Sequence, residues 1–117
     1  MQPESEINRA MRVAIAKTGR AVVVPNRIVP NAYVKQRDIF VPVGWLGGPE
    51  GSPDLWGQLY GSGRVFCIEG KTATGRLRDS QKRWAEATRR RGGFVAACRS
   101  VDEALAALAR AEQGACE

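Results

Sequence analysis

Apolar residues recur along this chain with two periods. Ile7, Ala10, Met11, Ala14 and Ile15 fall at i, i+3, i+4, i+7 and i+8, which predicts an amphipathic helix from about residue 4 to Thr18, closed by Gly19. Ala21 to Val24 then reads as a short buried strand, the proline- and asparagine-containing stretch after it as a loop, and Asp38 to Val43 as a second strand before the glycine-rich segment Gly44 to Gly51. Residues 53–59 and 64–70 are strand candidates around Tyr60-Gly61-Ser62-Gly63, with Gly61-Ser62 as a two-residue hairpin turn. Gln81, Trp84, Ala85 and Thr88 mark one side of a helix stopped by Gly92-Gly93, and Phe94 to Cys98 is a further strand. Ser100-Val101-Asp102-Glu103 is a capping box that opens a last helix with Leu105 and Leu108 inward. The predicted order is α-β-β-β-β-α-β-α, and the strand–helix–strand unit at 64–99 predicts two parallel strands with a right-handed crossover.

The hairpin has a chemical consequence. With Gly61-Ser62 as its turn, the numbers of every cross-strand pair sum to 123, which sets Asp54 directly opposite Glu69. Directly opposed residues project to one face with Cβ atoms about 4.5–5.5 Å apart, and Lys71 shares that face. Leu55, Leu59, Phe66 and Ile68 point the other way and supply the core, which supports the same register. Opposed like charges destabilise a sheet, so two carboxylates there suggest a hard divalent cation with oxygen ligands. The alternative is a surface ion-pair triad in which Lys71 neutralises both acids, typically worth less than ~1 kcal/mol.

Composition narrows the chemistry further. The 117 residues suit one domain, and no apolar run approaches the roughly 18 residues that span a bilayer. Glu4 and Glu6 near the start do not resemble a secretory signal. With no histidine in the chain, His-dependent metal sites, serine triads and His-based nucleases are excluded. Cys67, Cys98 and Cys116 match no zinc spacing, and Cys67 and Cys98 sit in apolar strand-like runs, so a reducing cytoplasm is the expected setting. Residues 71–91 hold Lys71, Arg76, Arg78, Lys82, Arg83, Arg89, Arg90 and Arg91 against Asp79 and Glu86, and this net of +6 equals that of the entire chain. A basic face so localised is the footprint of a phosphate-backbone partner, although a solvated helix produces the same pattern.

At these residues the sequence resembles the virus-type replication-repair nuclease (VRR-NUC) family of the PD-(D/E)xK superfamily. Gly51-Ser52-Pro53-Asp54-Leu55 resembles its G-S-P-D-L motif, Ile68-Glu69-Gly70-Lys71 its I-E-x-K motif, and Thr74-Gly75-Arg76-Leu77 with Gln81 its T-G-R-L-x-x-x-Q segment. The resemblance covers about residues 4–110 and implies an α/β, restriction-endonuclease-like fold with a central mixed β-sheet flanked by helices. It further implies a Mg²⁺- or Mn²⁺-dependent endodeoxyribonuclease in which Asp54, Glu69 and the carbonyl of Gly70 ligate the metal. Lys71 would position the attacking water and stabilise charge that grows on the phosphate. Family members usually carry an aliphatic residue where this chain has Gly70, which bears on local rigidity.

A glutamate early in the first helix is another family feature. Glu4 and Glu6 compete for it, and Glu4 is preferred because it lies on the buried stripe, although either acid can also complement the helix dipole. Gln81 can hydrogen-bond water or phosphate, or act as a capping group. Arg76, Arg78, Lys82 and Arg83 follow closely on the active-site strand and are the candidates for DNA phosphates. Trp45 is a candidate for stacking on a base or a partner subunit. Stand-alone members resemble junction-resolving homodimers, so branched or four-way DNA is the expected substrate, with flap, nick or single-strand cleavage as the alternative and a non-catalytic DNA-binding module as the rival of another class.

Overall fold

A computed structural model describes residues 3–26, 32–36, 39–44 and 51–115, with the backbone alone in 32–36 and 39–44. Helix α1 (Glu4–Thr18) buries Ile7, Met11 and Ile15 from the predicted stripe and ends at Gly19, whose φ of 67° closes the last turn through an N–H donated to Ala16. Strand β1 (Ala21–Pro25) alternates between buried and exposed positions, and the proline stands at its end, where a lost ladder donor is tolerated.

Strands β2 (Ala32–Gln36) and β3 (Ile39–Gly44) pair antiparallel as a separate two-stranded sheet. Here the structure corrects the expected order: β2 lies within a stretch read as loop, and β3 pairs with it rather than entering the main sheet. The flanking prolines and asparagines masked a run, Ala32-Tyr33-Val34-Lys35-Gln36, that contains two strand-favouring residues. Trp45, most of the glycine-rich segment and Cys116 lie outside the described residues.

Strands β4 (Leu55–Leu59) and β5 (Val65–Gly70) pair antiparallel through Leu55–Ile68, Trp56–Cys67, Gly57–Phe66 and Gln58–Val65, so every pair sums to 123 as expected. The turn itself differs. Leu59 donates to Arg64 O at 2.9 Å and Gly63 donates to Leu59 O at 3.0 Å, giving a four-residue loop, Tyr60 to Gly63, with Gly61 and Gly63 at positive φ. Tyr60 N is drawn instead to Arg20 O, at 2.9 Å, before β1. The longer loop is centred on the same two residues, so it leaves the register unchanged.

Helix α2 (Asp79–Arg90) connects β5 to β6 (Phe94–Cys98), which runs parallel to β5, and α3 (Val101–Glu112) follows. The main sheet has the order β1-β4-β5-β6, a four-stranded mixed sheet flanked by helices and compatible with a PD-(D/E)xK nuclease core. One face packs against α1 and α3, with Ile7, Met11, Ile15, Leu55, Phe66, Ile68, Phe94 and Leu108 in one cluster. The inner side of α3 is made by Ala104, Ala107, Leu108 and Ala111, with Leu105 only partly buried. On the opposite face α2 covers Cys67 and Val95 with Ala85 and the partly buried Trp84. Cys67 and Cys98 are both buried, and burial pushes the Cys67 thiol up to about 12.

Candidate active site

The carboxylates gather where β4 begins and β5 ends. Gly51, with φ of +88°, packs against the Ser80 carbonyl of α2 so closely that a Cβ would collide with it, so the segment before Asp54 requires glycine there. Asn26 then holds this segment to the end of β1: its N–H donates to Asp54 O at 2.8 Å, and its Nδ2 donates to Ser52 Oγ at 2.6 Å and Pro53 O at 3.0 Å. The Asp54 carboxylate is aimed at β5, where Oδ2 accepts the N–H of Gly70 at 3.0 Å.

Glu69 and Lys71 are both buried, with Nζ of Lys71 3.9 Å from Oε1 of Glu69. This is not the surface ion pair that the sequence left open, because neither group is exposed. Gln81, also buried, donates from Nε2 to Glu69 Oε1 at 2.8 Å, and its Oε1 accepts the N–H of Arg78 at 2.8 Å. It therefore serves both as a helix cap and as a partner of Glu69. Of the two early glutamates, Glu4 reaches the cluster: one carboxylate oxygen from each of Glu4, Asp54 and Glu69 lies within 4.8 Å of the others.

Three acids facing one lysine leave the site short of positive charge. Burial, then the charge of Asp54 and a hydrogen bond with it, push the Glu69 carboxyl up to about 8; Lys71 opposes the shift and Glu4 adds to it. Ligand oxygens at 2.1–2.4 Å from a common centre stand at most about 4.2–4.8 Å apart, so the donor set suits one hard divalent cation. Gly70 is the remaining member of the expected ligand set. Its missing side chain has a structural reason, because a Cβ there would overlap Oδ1 of Asn8, and Met11 closes the other side.

Arg76, Arg78, Lys82 and Arg83 are exposed around the start of α2, and no ion pair joins them to another described residue. Arg89 is a different case, because its guanidinium donates to Val95 O at 2.8 Å and is committed to the fold. Two contributors escaped the sequence reading. Asn26 looked like an ordinary turn residue. Asn8 carried a signal, its i+4 spacing from Glu4 on one helix face.

Residues 45–102 match the VRR-NUC domain. The chain carries a VRR-NUC domain. No curated protein matches it. VRR-NUC domains form a nuclease family, which brings DNA binding with it, and no helix among the described residues is long and apolar enough to cross a membrane. The VRR-NUC match spans Asp54, Glu69, Gly70, Lys71, Gln81 and the four basic residues around the start of α2. Glu4, Asn8 and Asn26 lie before it, so α1 and the end of β1 complete a site whose centre is within the matched segment.

Proposed function

We propose that this VRR-NUC protein is a Mg²⁺- or Mn²⁺-dependent endodeoxyribonuclease acting on branched DNA, four-way junctions above all. The observation that carries the proposal is the convergence of Glu4, Asp54 and Glu69 beside the buried Lys71. Asp54, Glu69 and the Gly70 carbonyl would hold the cation, and the Glu4 carboxylate lies within reach of both acids. When bound, the cation supplies positive charge against the phosphate oxygens and makes nearby water more acidic.

The chain's own residues do the rest. Gln81 holds Glu69 in one rotamer, and the Gly70 N–H fixes the Asp54 carboxylate. Lys71, on a strand whose N–H continues the ladder to Cys98 O at 3.0 Å, presents an ammonium on the same face as the acids. That charge orients water and offsets the negative charge growing on the phosphate as the P–O bond breaks. The exposed Arg76, Arg78, Lys82 and Arg83 take the neighbouring phosphates.

Resolving a four-way junction symmetrically requires two such sites related by a two-fold axis, so we place the active form as a homodimer. The preference for junctions rests on the family resemblance of the motifs. A cleavage assay with and without Mg²⁺ or Mn²⁺ on linear, flapped, nicked and four-way DNA tests both levels. Metal-dependent cutting strongest on the junction supports the reading, cutting of flaps or nicks alone removes the junction, and DNA binding without cutting leaves a non-catalytic module. A species that stays monomeric at micromolar concentration, on junction DNA and off it, removes the dimer.

A further inference from the structure

Beside the carboxylates, on the side away from α2, a cleft of about 330 Å³ runs between α1 and the end of β1; Ser5, Asn8, Arg9, Arg12, Asn26 and Asp54 are among its walls. The geometry points to this cleft as a second phosphate-binding wall, which holds the DNA strand on the far side of the cut from α2. The inference rests on the nuclease reading above and extends it to residues outside the VRR-NUC match.

Three observations carry it. The first is charge. Arg9 and Arg12 stand three residues apart on one face of α1, where like charges repel, and neither forms an ion pair or a hydrogen bond with a described residue. Arg9 is exposed and Arg12 partly buried, so the pair sets two unpaired cations along this wall. The second is chemistry: Ser5 and Asn8 add uncharged polar side chains, so beside the Asp54 carboxylate the walls combine two permanent cations with neutral hydrogen-bonding groups, the partners phosphate oxygens take.

The third is position. In the sheet order β1-β4-β5-β6, the cleft opens on the β1–β4 side and reaches Asp54, whereas α2 meets Glu69 through Gln81 on the β5 side. The carboxylate cluster therefore stands between two basic walls. A polyanion bound at the acids and at the start of α2 must continue into this cleft, and no smaller anion is called for by a cleft that opens onto the reacting groups.

The test uses the full chain with Arg9→Gln and Arg12→Gln combined, and a labelled DNA duplex in metal-free, chelator-containing buffer. Binding is measured against salt, and methylphosphonates neutralise one phosphate at a time along each strand. Losing two phosphate contacts should lower the slope of log K against log[salt] by about 1.8. Neutralisations that weaken the wild type but not the variant should form one group, on the opposite side of the cut from the group silenced by Lys82→Gln with Arg83→Gln. Arg9→Gln alone, at an exposed position, should lower the slope by about 0.9 and covers the case in which the double variant folds poorly. A wild type that cuts DNA, with variants that keep its slope and phosphate map, overturns the second wall and leaves the nuclease standing. A wild type that neither binds nor cuts DNA overturns both.

Discussion

Gln81 hydrogen-bonds to Glu69 with one end of its amide and to the backbone of Arg78 with the other, both at 2.8 Å. One side chain thus couples the start of α2 to the buried acid at the end of β5.

Gln81→Ala should therefore act twice. It removes a helix cap, typically worth about 0.5–2 kcal/mol, and leaves a buried carboxyl without its neutral donor. We expect a lower melting temperature together with at least a ~10-fold fall in kcat under saturating DNA and metal. Loss of stability alone, with kcat unchanged, would confine Gln81 to capping.

Gly70 and Asn8 should be energetically coupled. A Cβ at Gly70 overlaps Asn8 Oδ1, so Gly70→Ala should cost about 1–3 kcal/mol as an overpacked site. Asn8→Ala empties that space and also removes a buried side-chain oxygen that has no hydrogen-bond partner. Chemical denaturation of both single variants and the double variant closes a double-mutant cycle. The double variant should recover most of the loss from Gly70→Ala; additive losses would show that Asn8 is not what excludes a side chain there.

Much of this site is legible in the sequence, for physical reasons. The Asp54–Glu69 juxtaposition follows from hairpin symmetry about Gly61-Ser62, and alternate apolar residues on both strands enforce it, so even a wrong turn type left it intact. Glu4 was separable from Glu6 because Ile7, Met11 and Ile15 define which side of α1 is buried. Strand β2 was hidden because the turn residues before it outweighed the strand preference of Tyr33 and Val34. Asn26 and the fit of Asn8 against Gly70 rest on contacts between segments far apart in sequence, where local periodicity carries no information. Gln81 was visible as a cap, but its second bond, twelve residues back, was not.

Metal-free stability should fall with rising pH through the titration of Glu69. The folded carboxyl titrates near 8, whereas 4.5 is its ordinary value. Between those values the folded state holds a proton that the unfolded state has lost, so stability is full below about 4.5 and declines as pH rises through 8. A divalent cation favours the ionised carboxylate and should reverse the trend while releasing a proton. Urea unfolding from pH 5 to 9, with chelator and with Mg²⁺, measures this, and Glu69→Gln should flatten the chelator curve. A chelator curve equally steep in Glu69→Gln would assign the titration to another group.

The most direct test of a metal-dependent VRR-NUC site here is Glu69→Gln. The substitution keeps volume and a hydrogen-bond acceptor for Gln81 while removing one charge from the carboxylate cluster. We predict a folded protein that binds DNA in metal-free, low-salt buffer at least as tightly as wild type, because the substitution adds no negative charge to the site and, above about pH 8, removes a repulsive one. Cleavage should fall at least ~10²-fold, the scale of one lost electrostatic contact in the transition state. Wild-type cleavage by the folded Glu69→Gln protein would contradict the assignment.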